Sequence, residues 1–218
     1  MMTAGTLASQ RGDPDHARMA IEGVMRLARK HNLQLPLERA LVNLGDIAIE
    51  QGRLDDGRAL LEEALACSED STSSPDVVAL INLSEIANLQ GRYRDAASLG
   101  RTALAAALDH GDQLRAVWAV FHIAWALAEL GELDRSGRLI GASTAFLQNA
   151  GFARSRSDLL CEKGVVDRLH TKLAVDAIHT LVQQGRDAPL EEALSDALTD
   201  KPEVGAASRR PAPIHVAD

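Results

Sequence analysis

Three stretches of this chain, LVNLGDIAIEQGRLDDGRALLEEAL, LINLSEIANLQGRYRDAASLGRTAL and VFHIAWALAELGELDRSGRLIGAST, align without a gap. A repeat of this length constrains the fold more than local propensity does, because each unit is one supersecondary element that hides its apolar face only by stacking on its neighbours. Gly52, Gly91 and Gly131 fall at matching places, with spacings of 39 and 40 residues. Seven positions before them stand Gly45, Ser84 and Ala124, five after them Gly57, Ala96 and Ser136, and seven further on Ala64, Ala103 and Ser143. Small residues at those offsets let two antiparallel helices cross closely. A glycine between the helices supplies the left-handed residue that closes the first one without a Cβ penalty. The apolar period agrees: Leu41, Leu44 and Ala48, then Leu60, Leu61, Ala64 and Leu65, recur at the three- and four-residue steps of one buried helix face.

A further copy is signalled upstream by Gly5, Gly12 and Ala17 at the same offsets, with Gly12 placed 40 residues before Gly52. Its second helix is well marked, since Asp13 can cap, Pro14 suits the first helical position, and Ile21, Met25 and Ala28 continue an apolar stripe. Its first helix would begin before residue 1, so Ile21 and Met25 are expected to be uncovered or covered by homodimerisation through this end. Ser73, Ser74 and Pro75 read as a loop followed by a cap and an N1 proline. Pro189, with Glu191 and Glu192, begins the last short helix, where carboxylates favour the positive end of the dipole. The chain divides into repeats over residues 1–151, a helical extension over 152–198 and a disordered tail over 199–218, which holds three of the seven prolines.

This pattern resembles the tetratricopeptide repeat (TPR), whose small, glycine and alanine positions occur in this order. The resemblance implies an all-α fold: a TPR-like superhelical array of antiparallel helix pairs with a short C-terminal helical extension. A generic array of helical hairpins is the other architecture the pattern allows. The period exceeds the usual ~34 residues, which implies longer second helices or longer links, as in the MalT-like relatives of the family. Past the third repeat, Arg138, Leu139, Gly141 and Ala142, then Leu169, Leu173, Ala177 and Gly185, then Leu190, Glu192, Ala193 and Leu198 are similar to the C-terminal end of large actinobacterial regulators of the LuxR and AfsR types. Family members show Gly, Phe and Trp where this chain has Ala174, Ile178 and Val182. In that family a P-loop ATPase module lies upstream of the repeats and a DNA-binding or cyclase domain at one end. Here no G-x-x-x-x-G-K-[ST] occurs and there is no basic recognition helix. The resemblance therefore implies the sensory, protein-contacting arm of a transcriptional regulator, either as a fragment or free-standing.

The net charge of −8 argues against a broad electrostatic footprint for nucleic acid. The basic runs Arg26 to Lys30 and Arg154 to Arg156 read as solvated helix faces. Neither an export signal nor a membrane-length apolar run is visible, so a cytoplasmic location is expected. Cys67 and Cys161 are 94 residues apart and read as buried or idle thiols. None of the seven histidines forms an i, i+4 pair or a ligand-spaced cluster, so they read as surface or capping groups and no metal or cofactor is expected. Adjacent acids such as Asp55 and Asp56, or Glu62 and Glu63, diverge on a helix instead of converging on one site, so no catalytic set is expected.

The candidate binding surface comes from the register of the repeats. Trp118, Phe121, Trp125 and Glu129 fall where TPR proteins expose inner-face residues to a ligand; the earlier copies place Arg39, Asp46 and Glu50, then Glu85 and Asn88, at corresponding positions. Aromatic and charged groups on one concave face suit a peptide. The opposing reading is that the C-terminal helices bury both tryptophans. The expected function is non-catalytic: a module that holds a protein or peptide partner, or senses a small inducer. The alternative is an allosteric or scaffold subunit of a separately encoded ATPase or nucleotide cyclase.

Overall fold

The computed structural model describes residues 14–69 and 77–200; among them are ten α-helices and no strand. They are α1 (Pro14–Lys30), α2 (Gln34–Glu50), α3 (Leu54–Glu69), α4 (Val77–Leu89), α5 (Tyr93–Asp109), α6 (Gln113–Glu129), α7 (Leu133–Asn149), α8 (Arg156–His170), α9 (Val175–Asp187) and α10 (Leu190–Leu198). The three aligned repeats are the antiparallel pairs α2/α3, α4/α5 and α6/α7. Gly52, Gly91 and Gly131 sit between the members of each pair at φ 73°, 72° and 92°. In each case the next N–H reaches back five residues: Arg53 to the carbonyl of Ala48 at 2.8 Å, Arg92 to Ala87 at 2.8 Å and Glu132 to Leu127 at 2.9 Å. This left-handed closure satisfies a carbonyl that the helix end leaves without a partner.

The small positions lie where the helices cross. A Cβ on Gly57 would stand 3.2 Å from the carbonyl oxygen of Gly45, and Ser84 Oγ donates to the carbonyl of Ala96 at 2.8 Å. Ala64, Ala103 and Ser143 are all buried. In the third pair the extra length lies in the helices: both members have 17 residues, and only residues 110–112 link α5 to α6. The main core runs from α4 to α10 through Leu104, Phe121, Leu127 and Leu139, and smaller clusters join α1 to α4.

The C-terminal helices are not a fourth pair. Helix α9 lies along α7, α8 lies on α6, and α8 and α9 barely meet each other. Glycine makes the α7/α9 crossing possible: a Cβ on Gly141 would collide with the carbonyl of Val182, and one on Gly185 with that of Arg138. Arg135 then ties α10 down. Buried on α7, it bonds Asp196 through Nε at 3.1 Å and the carbonyl of Thr199 at 2.6 Å, and also meets the carbonyl of Asp196. A guanidinium placed there satisfies carbonyls that the end of α10 exposes. Thr199 is thus held, and Asp200 pairs with Arg101 at 3.1 Å, so residues 199 and 200 contact the fold.

Three expectations change. Ile21 is buried against Ala40, Leu44 and Ile47, and Met25 is half-buried, because α1 turns that stripe onto α2 and α3; the uncovered apolar residues are Met19, Val24 and Leu27, with Leu33 and Leu35 just beyond. Pro189 occupies the N-cap position of α10, one residue before the helix begins. His122, read as a surface or capping group, is buried. Gly5, Gly12 and Asp13, Ser73 to Pro75, and residues 201–218 lie outside the described residues.

Candidate protein-binding groove

Helices α2, α4 and α6 carry the inner-face positions, and the structure distributes the expected residues unevenly among them. On α2, Arg39 and Glu50 are exposed and Asp46 is half-buried. On α4, Glu85 and Asn88 are buried. On α6, Trp118, Trp125 and Glu129 are half-buried, while Phe121 is fully buried. Phe121 is therefore a core residue in this structure. Glu85 and Asn88 are likewise closed to a partner in this state.

The reason is α8, which lies on the inner face. Ser157 Oγ donates to Glu85 Oε2 at 2.6 Å and lies 3.3 Å from His122 Nε2, and Cys161 Sγ lies 3.3 Å from His122 Nδ1. Gly164 sits so close to the Trp125 ring that a Cβ there would stand 2.6 Å from Nε1. Arg168 Nε lies 3.6 Å from Glu129 Oε2. Beneath α8, the Asn88 amide donates to the carbonyl of His122 at 3.0 Å. The first turn of α8 is fixed by a capping box: Ser155 Oγ accepts from the Asp158 N–H at 3.1 Å, and Asp158 accepts from the Ser155 N–H at 2.7 Å.

Glu85 acts on both parts of this face, on Asp46 of α2 and on the groups under α8. Burial, then the charges of Glu50 and Glu85, push the Asp46 carboxyl up to about 6, and only Arg156 pulls the other way. Under α8, burial lowers His122 against the opposing pull of Glu85 and Asp158. Burial also raises Asp158, although its bonds from Ser155 work against this. Burial, followed by Glu85 and Asp158, pushes the Cys161 thiol well above its ordinary value. Full burial and the upward push on the thiol disfavour nucleophilic attack by Cys161, and its contacts with His122 pack α8 against α6. Among the described residues no group of three or more His, Cys, Asp or Glu side chains could hold a metal ion.

Residues 36–109, which run from α2 through α5, match the tetratricopeptide repeat model. The fold is TPR-like. A crystal structure of nearly identical TPR-like repeats from a kinesin light chain of Podosopora anserina superposes with a TM-score of 0.57 at 17% identity, covering 85% of this chain and 96% of that one. A glutamine-to-methionine variant of the same repeats gives a TM-score of 0.58 at 15% identity, with 85% and 95% covered. At those identities the likeness is one of fold alone. No curated protein sequence matches the chain.

Sequence reasoning had not grouped His122 with Ser157, Asp158, Cys161, Gly164 and Arg168, which α8 brings to the inner face. One local signal was available. Ser155 followed three residues later by Asp158 is the signature of a helix start, and a glycine in mid-helix at Gly164 costs stability unless something packs closely against it.

Proposed function

We propose that the chain is a non-catalytic repeat scaffold that docks a protein segment on its concave face, with Asp46 and Glu50 receiving basic side chains of the partner. The observation that carries this reading is the placement of Asp46. A half-buried carboxylate beside two others costs the folded state free energy, and such a cost is commonly retained where a surface waits for an opposite charge. Arg39, exposed at the other end of α2, offers a site for an acidic group on the same segment. The net charge of −8 supports a basic protein partner and disfavours nucleic acid.

Within this reading the chain serves a cytoplasmic transcriptional regulator as its sensory and protein-contacting arm. The support is sequence likeness, sharpened by geometry: Arg138, Gly141 and Gly185, which carry the resemblance, are the residues at the α7/α9 crossing. Among the described residues no helix is long and apolar enough to cross a membrane. A second copy of the chain is the partner that suits the apolar face of α1.

The test is photo-crosslinking in cells with a benzoylphenylalanine at position 43, between Arg39 and Asp46, and as control at exposed position 94 on α5. Capture of a defined protein from position 43 alone, lost on Asp46→Lys with Glu50→Lys, is the expected result. Equal capture from both positions, or insensitivity to charge reversal, refutes the proposal.

A further inference from the structure

The residues with which α8 meets the inner face are Ser157, Cys161, Gly164 and Arg168, spaced i, i+4, i+7 and i+11, which is one helical stripe. Their counterparts on the groove are Glu85, His122, Trp125 and Glu129. We infer that α8 is the resident ligand of a helix-binding groove, and that a partner helix presenting a hydroxyl, two small residues and an arginine at this spacing binds there by displacing it. This inference rests on the proposed docking role of the concave face, and it assigns the class of partner and a means of regulation.

Three observations make α8 displaceable. Its seat mixes polar groups with the edge of the main core: Glu85, His122 and Asp158 are all buried at this interface beside Cys161, Val165 and Leu169. Among the described residues, the buried side-chain atoms without a hydrogen-bond partner include Asn88 Oδ1 on the groove floor and Arg154 Nε just before α8, while Arg168 Nε has only the 3.6 Å ion pair to Glu129. Each such atom is an interaction that water or a better ligand would supply. The helix is also mechanically separate, flanked by non-helical residues 151–155 and 171–174 and barely touching α9. The anchors of α9 and α10, namely the Gly141 and Gly185 crossing and the Arg135 latch, involve no residue of α8. The helix can therefore leave while its neighbours stay. Its apolar side, Cys161, Val165 and Leu169, returns it to the groove when no competitor is present.

The test uses the full chain and a fluorescein-labelled synthetic peptide of residues 154–171, read by anisotropy. Gly164→Leu in the chain drives a side chain into Trp125 and evicts the resident helix; Ser157→Ala with Arg168→Ala loosens it without adding bulk, and so covers the case in which the first variant does not fold. The peptide is expected to bind either variant at least tenfold more tightly than it binds the wild-type chain. A peptide carrying Gly164→Leu is expected to bind none of them. Equal affinity for the wild-type chain and the loosened variant overturns the inference, as does hydrogen exchange in α8 as slow as in α6. The parent reading fails separately. If a partner crosslinked at position 43 leaves α8 protected from exchange, displacement is wrong and docking stands; if peptide exchange succeeds while charge reversal at Asp46 and Glu50 changes nothing, the groove binds helices but the acidic strip on α2 is not a contact.

Discussion

Asp46→Asn removes a charge while keeping the shape of the side chain, and it is expected to stabilise the protein at neutral pH. Asp46 is half-buried, and its carboxyl is carried from 3.8 to about 6 by burial and by the neighbouring charges of Glu50 and Glu85. A tenfold change in a protonation equilibrium corresponds to ~1.4 kcal/mol, so the ionised carboxylate costs the fold at most about 3 kcal/mol. Solvent around a half-buried group screens part of this and leaves about 1–2 kcal/mol. The sign follows from the direction of the shift. Below pH 3.8 the group is protonated in both states and costs nothing; the penalty grows between 3.8 and about 6 and is full above that. Urea unfolding of both proteins should therefore give a variant more stable by about 1–2 kcal/mol at pH 7.5, with the gap closing as the pH falls towards 4. A variant of equal or lower stability at pH 7.5, or a gap independent of pH, would falsify the electrostatic account of this face. The same variant is expected to hold a basic partner less tightly, since the charge that strains the free protein is the one a partner would neutralise.

Gly185→Ala places a Cβ against the Arg138 backbone, which cannot swing aside as a side chain can, so a loss of about 2–3 kcal/mol is expected in thermal or denaturant melts; a loss under 0.5 would mean that the α7/α9 crossing is looser than described. Gly131→Ala forces a left-handed φ of 92° on a residue with a Cβ, and should cost about 1–2 kcal/mol, although nothing crowds the position. Trp125→Ala removes a half-buried ring that packs on the main core and on Gly164; it should cost about 2–3 kcal/mol, below the ~3–5 of a fully buried ring, and hydrogen exchange should speed up first in α8. Val24→Thr with Leu27→Gln, at residues 48% and 60% exposed, should alter stability by less than ~0.5 kcal/mol while reducing concentration-dependent self-association in light scattering; undiminished association would place any self-contact elsewhere.

The helix pairs were legible because their cause is local. A left-handed glycine, small residues at fixed offsets and a period near 3.6 act within one repeat, and Gly52, Gly91 and Gly131 fall where those rules put them. The groove was only partly legible because its contents depend on contacts between distant positions: Ser157 meets Glu85 across 72 residues and Cys161 meets His122 across 39. Register alone placed Trp118, Phe121 and Trp125 on one surface without stating what lies over it. The composition of α6, VWAVFHIAWALA, carried more information than its register did. A helix apolar all round is covered on every side, which is why Phe121 lies in the core and both tryptophans are half-buried. Helix α2, with Arg39, Asn43, Asp46 and Glu50 along one face, has the pattern of an element that stays open there.

The two ends of the array differ in a way that bears on where binding occurs. At the position of Val24 the three complete pairs have Ala64, Ala103 and Ser143, which are 0%, 0% and 1% exposed, whereas Val24 is 48% exposed. Among the described residues, the end bearing α1 leaves Met19, Val24 and Leu27 exposed, whereas α8, α9 and α10 cover the other end. In a stack where each unit gains stability only from its neighbours, a unit with one neighbour is held less firmly than a unit with two. Helix α2, with its acidic face, lies next to α1 and away from the end that α8, α9 and α10 cover. The groove at α6 lies at the firm end and is reached only by exchanging one helix for another. A partner that used both would first meet the carboxylates on α2, which attract a basic segment at a distance, and would then compete with α8 for the tryptophan-lined seat beyond it. That order puts the fast, weakly specific step on the exposed charges and the slow, selective step on the buried stripe of Ser157, Cys161, Gly164 and Arg168.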